Sequence, residues 1–226
     1  MNQQLIKPMI LMFLCAFIII YHAFSGSNAI ADPQEKKWKD FPAITLRLAD
    51  NKSTVTLGVG DLEIYHNGGL GIGPGVALGY RAVQIALKYL YPGEIPSRGD
   101  QFIVSGSAKD CPADAVTYLT GVRYGKGSEG AFNGNLVFDQ SIGTFGFIFT
   151  RMSNGKAVKL VSRFTFPQEW LALQSRGKTD PEAKQKSREM TNKLVRGILT
   201  APADQIFEVV PLEGFPWKKY KETNLK

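Results

Sequence analysis

The chain has 226 residues, of which 44% are hydrophobic, and carries 27 Lys and Arg against 20 Asp and Glu, a formal net charge of +7. This length is enough to bury a substantial core and fits one domain. The excess of positive charge does not indicate a nucleic-acid partner, because much of it lies in Lys178–Arg196 and Trp217–Lys221, where basic runs are typical of solvated helix faces and chain ends.

The first 31 residues have the layout of a secretory signal peptide. Lys7 gives a positive start, Pro8–Phe24 is an almost continuous apolar run, and Ala29–Ala31 matches the small-x-small cleavage pattern. We therefore expect export to the periplasm or beyond the cell, with a single mature domain over residues 32–226. The alternative is an uncleaved N-terminal membrane anchor, although the apolar run is slightly shorter than the roughly 20 residues of a membrane span.

The first half of the mature chain is predicted to contain four strands and one long helix. Alternating apolar and polar residues, or a continuous apolar run, predict strands at Ile44–Ala49, Thr54–Leu57, Leu62–Tyr65 and Gln101–Ser105. A glycine-rich loop, Gly68–Gly75, precedes the helix Val76–Leu90, whose apolar residues share one face and which ends at Pro92-Gly93.

The second half mixes helices and strands without a regular β-α-β alternation. A second helix is predicted from Asp110 to about Thr120, with Pro112 in its first turn and Gly121 as its stop. Three further strands are predicted to form an antiparallel meander: Leu136–Gln140, Thr144–Arg151 and Ala157–Phe164. Two more helices and a late strand are predicted at Phe166–Leu173, Asp180–Leu199 and Ile206–Val210. This order predicts an α+β fold with a mixed or antiparallel sheet flanked by helices.

The glycine-rich loop lies before a helix, which is the usual place of a dinucleotide-binding motif. The spacing of that motif is absent, because Pro74 or Val76 occupies the third glycine position. The segment Gly125–Ser128 also lacks the spacing of a phosphate loop. We therefore expect no nucleotide ligand, and an exported chain is not expected to bind nucleic acid.

Removal of the leader leaves Cys111 as the one cysteine and His66 as the one histidine. A lone thiol in an oxidising compartment needs burial, a metal or a second chain to protect it. The predicted helix start favours the Cys111 thiolate, while Asp110 and Asp114 oppose it. Imidazole and thiolate together suit zinc or another transition metal. A buried cysteine and an unrelated loop histidine are the alternative.

Four blocks occur in an order that resembles the FmdE family, which takes its name from formylmethanofuran dehydrogenase. They are His66, Gly73–Ala82, Cys111–Val116 and the pair Leu119–Gly121 and Tyr124–Gly127, within a resemblance that runs from about Leu57 to Val210. The resemblance implies an α+β domain that is often dimeric and often holds zinc or another metal near a Cys/His cluster. It makes His66 and Cys111 candidate metal ligands. It also gives these candidate cofactor-binding residues: Gly73, Pro74, Gly75, Tyr80, Arg81 and Asp114.

The chain departs from the family pattern in the glycine loop. The family typically shows His-Gly-His-x-Cys-Pro-Gly, whereas Gly71 stands here at the nearer histidine and Gly73 at the cysteine. A structural zinc site needs four ligands, and only His66 and Cys111 remain as candidate soft ligands. The lost side chains also leave room for a planar cofactor such as haem, whose iron takes axial ligands from the protein.

We therefore predict a periplasmic FmdE-like binding protein that serves a redox system as an accessory or carrier. It would hold a metal ion, or a metal-containing cofactor such as haem, where the helix starts at Gly75 and Cys111 converge with His66 at the rim. A homodimer and a redox or membrane-associated partner are expected. Two alternatives stay open: a thiol-dependent enzyme in which His66 or Asp114 moves a proton, and a degenerate structural or interaction module. We favour binding over catalysis.

Overall fold

The computed structural model describes residues 37–48, 50, 52–107, 111–125 and 133–224. From Trp38 onward these residues belong to one compact unit. The predicted leader, residues 1–31, lies outside the described residues. Within them, no helix combines the length and the apolar character that crossing a membrane requires.

The described strands form one small and one large sheet. In chain order they are β1 (Ile44–Arg47), β2 (Thr54–Leu57), β3 (Gln101–Ser105), β4 (Arg123–Tyr124), β5 (Asn133–Phe138), β6 (Phe147–Arg151), β7 (Ala157–Ser162) and β8 (Phe207–Leu212). Strands β1 and β2 form an antiparallel pair, and the larger sheet has the order β4-β5-β3-β6-β7-β8. Strands β4, β5 and β3 are parallel, while β3, β6, β7 and β8 are antiparallel neighbours. The predicted α+β class with a mixed sheet is confirmed.

The predicted antiparallel meander is wrong in placing β5 directly beside β6. Strand β3 lies between β5 and β6, and β5 runs parallel to β3. All five residues of β3 are buried, which suits a central strand, and strands that follow each other in sequence are neighbours only about two-thirds of the time. The predicted hairpin between β6 and β7 is confirmed.

Seven helices surround the sheets in the described part of the chain. They are α1 (Val59–Asn67), α2 (Pro74–Leu90), α3 (Cys111–Thr120), α4 (Gln168–Arg176), α5 (Pro181–Thr200), α6 (Ala203–Ile206) and α7 (Trp217–Asn224). A short 3₁₀ turn, Gln140–Ile142, follows β5.

Helix α1 replaces the predicted strand Leu62–Tyr65, which is therefore wrong. Four residues of alternation are too few to separate a strand from a helix. The helix start is fixed locally, because the Asp61 carboxylate accepts the backbone N–H of Gly58 at 2.7 Å. Burial of Val59 and Leu62 then holds the helix on the core.

Helix α2 packs its apolar face on the sheet, as predicted. Val83, Leu87 and Leu90 are buried in the core. The strand side chains in the same core cluster are Ile103, Phe147, Phe149, Val158 and Leu160. The C-terminal half of α5 adds Val195, Ile198 and Leu199 to this cluster.

The opposite face of the sheet is covered by the C-terminal segment. Phe102, Val104, Val137 and Ile148 form a second apolar cluster, against which these residues pack: Ile142, Met152, Leu212, Phe215, Trp217 and Tyr220. The basic residues of the tail therefore belong to helix α7. The aromatic side chains of this helix pack on the sheet.

Helices α2 and α3 approach each other closely at two glycines of α2. A Cβ atom placed on Gly79 would lie 2.8 Å from the Ala115 Cβ and 2.9 Å from the Pro112 Cα. One turn earlier, a Cβ on Gly75 would lie 3.3 Å from the Cys111 Cβ. The absence of side chains at these positions lets the two helix starts lie side by side.

We predict that Gly79→Ala destabilises the fold by about 1–3 kcal/mol, because the new methyl group overpacks a contact with backbone. The matched control is Gly197→Ala in α5, where a Cβ meets nothing within 4 Å and a gain of about 0.4–1 kcal/mol is expected. Urea unfolding of both variants measures the difference. Equal stabilisation by the two substitutions would contradict the close packing of α2 on α3.

Candidate functional site

Helix α3 carries Cys111, Asp114 and Tyr118 on one face, because residues at positions i, i+3 and i+7 of a helix align. Cys111 and Asp114 are exposed at the start of the helix. A carboxylate in the first turn is favoured by the helix dipole. Thiol and carboxylate therefore stand one turn apart on a face that solvent reaches.

Helix α1 contacts this face through two consecutive side chains. His66 Nδ1 lies 3.1 Å from Asp114 Oδ2, and the ring of Tyr65 stacks on Tyr118 with centroids 4.5 Å apart. The His66 side chain keeps 18% of its area exposed and that of Asp114 keeps 52%. His66 was predicted at the end of a strand, but it lies in the last turn of α1.

The His66–Asp114 contact selects which ring nitrogen remains for a ligand. An ionised carboxylate only accepts hydrogen bonds, so this contact favours the tautomer of His66 whose Nδ1 donates to Asp114. The lone pair of the neutral ring is then on Nε2. This is the carboxylate–histidine arrangement that orients imidazole ligands in metal sites.

The glycine loop joins α1 to α2 and brings both helices to α3. Gly68, Gly69 and Gly71 have φ values of 67°, 89° and 104°, a region that glycine enters without strain. Asn67 closes the loop by donating to the Gly71 carbonyl and accepting the Leu70 amide. The loop ends at α2.

The predicted loop residues occupy the start of α2. Gly73 is its N-cap and Pro74 its first residue, while Gly75 lies against Cys111. The predicted approach of the two helix starts is therefore confirmed. Whether they share a ligand pocket stays a prediction.

Tyr80 and Arg81 make contacts to other parts of the fold. The Tyr80 hydroxyl donates to the Pro42 carbonyl at 2.7 Å, and burial raises the pKa of Tyr80 far above its usual range. The Arg81 guanidinium donates to the Ala201 carbonyl at 2.7 Å, and burial lowers the pKa of Arg81. These bonds tie α2 to the segment before β1 and to the end of α5.

No three His, Cys, Asp or Glu residues lie close enough to hold a metal ion within the residues that the structure describes. The described side chains thus do not form the four-ligand tetrahedral centre of a structural zinc site.

Sequence reasoning missed the exposed apolar side chains that lie near His66 in the chain. Tyr65 is 52% exposed, Ile64 51% and Leu70 89%. The signal was present in the sequence, since Tyr65 adjoins His66 and Tyr118 follows Asp114 by one helical turn. It became visible only once Leu62–Tyr65 was known to be helical.

We predict that the neutral ring of His66 is protonated at Nδ1, because Asp114 accepts that proton. Nitrogen NMR in alkaline buffer distinguishes the two ring nitrogens, and His66→Gln assigns the signal against that of His22. Asp114→Ala should release the ring to a mixture of tautomers. Asp204→Ala, which removes an exposed acid from the first turn of α6, should not. A wild-type ring protonated mainly at Nε2 would contradict the contact.

Comparison with models of protein families gives a match. Residues 71–208 match the family model described as FmdE, molybdenum formylmethanofuran dehydrogenase operon. A search of the curated proteins gives no match. The matched segment includes Cys111 and Asp114 and begins five residues after His66. It spans more than half of the 226 residues, and the chain belongs to the FmdE family.

Proposed function

We propose that this protein binds a metal ion or a metal-containing cofactor beside the His66–Asp114 pair and acts as an exported accessory or carrier for a redox system. The observation that supports this most is the 3.1 Å contact between His66 Nδ1 and Asp114 Oδ2. It joins helices α1 and α3 at Asp114, which lies one turn after Cys111 in α3, and it favours Nε2 as the ligand atom.

Each residue has a distinct part in this proposal. His66 is the imidazole ligand, and Asp114 is a positioning residue that fixes its tautomer and orientation. Cys111 offers a thiolate at the start of α3, where the helix dipole favours negative charge. The bound group would supply Lewis acidity or electron transfer, and the chain would supply its ligands and its surroundings.

A thiol-dependent enzyme is the second candidate. It is favoured by the exposure of Cys111 at the first residue of α3, where a thiolate is reactive. A degenerate module, the third alternative, would be favoured by an inert and buried Cys111. The exposure of Cys111 therefore disfavours it. The homodimer and a redox or membrane-associated partner are proposals that rest on the family and on the predicted export.

Export predicts the mature N-terminus. If signal peptidase cuts after Ala31, intact-mass measurement of the exported protein will give a chain that begins at Asp32. Ala29→Leu together with Ala31→Leu should block cleavage and leave the leader attached. Exported wild-type protein that retains Met1 would favour the membrane anchor.

If the protein binds a metal as proposed, its metal content should depend on His66, Cys111 and Asp114. We expect protein isolated from its own periplasm to contain about one metal equivalent per chain by elemental analysis, and His66→Gln with Cys111→Ser to lose it. Asp114→Asn should weaken retention against a chelator by about 10–100-fold, as is usual for a residue that orients a ligand. Asp204→Asn is the matched control and should retain the metal.

Two results would contradict the proposal. Metal-free wild-type protein whose Cys111 is modified by a substrate analogue would favour the thiol enzyme. Equal metal retention by the wild type, His66→Gln and Cys111→Ser would remove these side chains as ligands.

A further inference from the structure

We propose that a pocket between helices α4 and α5 binds a multiply charged phosphate anion, either a free oligophosphate or the phosphate headgroup of an anionic lipid. The pocket is formed by other residues than the proposed metal site, since its lining does not include His66, Cys111 or Asp114. Three features carry the inference: the cavity, the cations that line it and the helix pair that holds them in place.

The pocket lies where α4 ends and α5 begins. It has a volume of about 300 Å³, which is at the lower end of the range for small-ligand sites. Leu173 and the C-cap residue Gly177 line it from α4, and Ser187 lines it from α5. Ser187 is only 5% exposed. The lining therefore includes a buried polar residue as well as residues at the surface.

Three cations line this pocket, namely Lys178, Lys184 and Arg188. Lys184 and Arg188 are four residues apart in α5, so they lie on the same side of the helix, where like charges repel each other. Lys178 belongs to the connection between α4 and α5. Among the described residues, the lining holds these cations without an aspartate or a glutamate. An anion in the pocket would relieve their mutual repulsion.

The acidic residues nearest in sequence to Lys184 are engaged by other cations. Asp180 contacts Arg176 at 3.1 Å, and Glu182 contacts Lys186 at 2.6 Å. The Asp180 carboxylate also accepts the first backbone amides of α5 as its N-cap. These pairs form the solvated basic face that the sequence predicts, whereas the positive charge around the pocket is not neutralised by them.

Helix α4 is held on α5 by contacts that fix the walls of the pocket. The Trp170 indole N–H donates to the Thr191 hydroxyl at 2.9 Å, and this hydroxyl donates to the Ser187 carbonyl at 2.8 Å. At the end of α4, a Cβ atom on Gly177 would lie 3.0 Å from the Lys184 Cα, so the two backbones are in close contact. Walls that are already in place reduce the entropy cost of binding.

The lining favours a phosphate group over a carboxylate. A phosphate group offers three strong acceptor oxygens, whereas a carboxylate offers two oxygens in one plane. The cations come from two segments of the chain, and Gln174 adds a side-chain amide to the lining. Arginine binds phosphate through two parallel hydrogen bonds, and lysine adds a point charge. Several donors around one pocket therefore match an anion with more acceptor oxygens and more charge.

The test titrates the full chain with pyrophosphate by calorimetry, in a buffer with EDTA so that no metal ion mediates binding. We expect saturable binding that is tighter than the binding of succinate. Arg188→Gln and Lys184→Gln should each weaken it by about fivefold or more, and Arg188→Lys should weaken it less than Arg188→Gln. Absence of saturable binding would overturn the site. Succinate binding as tight as pyrophosphate binding would overturn the assignment to phosphate.

Lys193→Gln is the matched control. Lys193 is an exposed lysine of α5 that is not part of the pocket lining, so its removal changes the net charge by the same amount without touching the pocket. This variant should bind pyrophosphate like the wild type. Equal losses for Lys184→Gln and Lys193→Gln would indicate diffuse attraction to a basic surface and would overturn the inference. Since these side chains are exposed, circular dichroism should show an unchanged fold for every variant.

Vesicle flotation separates the two sources of phosphate. Binding to phosphatidylglycerol vesicles, but not to phosphatidylcholine vesicles, that Arg188→Gln weakens and pyrophosphate competes away would support the lipid headgroup. Saturable binding of pyrophosphate without vesicle binding would support a free oligophosphate. Because the titration excludes metal ions, its failure would leave the proposed metal binding beside His66 standing.

Discussion

The close approach of helices α2 and α3 is the constraint on which the site depends. It is possible because α2 has no side chain at Gly75 and Gly79, where Cys111, Pro112 and Ala115 occupy the space instead. Interiors are packed at nearly crystalline density, so a methyl group at Gly79 would push α3 away from α2. Since α3 carries Cys111 and Asp114, this contact sets the position of the candidate site.

The second consequence of this packing is the position of α1. The glycine loop is short, and its left-handed residues turn the chain directly from α1 into α2. Helix α1 is thereby placed within reach of α3. Tyr65 contacts Tyr118, and His66 contacts Asp114. A polar pair and an aromatic pair on these two helix faces hold the imidazole in one orientation. The site is thus built from helix ends and needs no residue of the sheet.

Membership of the FmdE family establishes the fold but not the ligand, because one fold hosts many functions. The ligand has to be inferred from the residues of the candidate site. Glycines stand at positions 71 and 73 of the loop before α2. The ligand proposed for this chain therefore rests on His66, Asp114 and Cys111.

The sequence by itself determined the α+β class, the apolar face of α2 and the buried strand Gln101–Ser105, because these depend on local periodicity. Its choice of Cys111 and His66 as ligands stays a prediction. It could not place β3 between β5 and β6, since strand order depends on long-range pairing. It also assigned Leu62–Tyr65 to a strand, because four alternating residues fit either structure. Only the tertiary structure decided that Asp114 holds His66, that Tyr80 and Arg81 anchor α2, and that α7 covers the sheet, because each contact joins residues that are distant in the chain and brought together by packing.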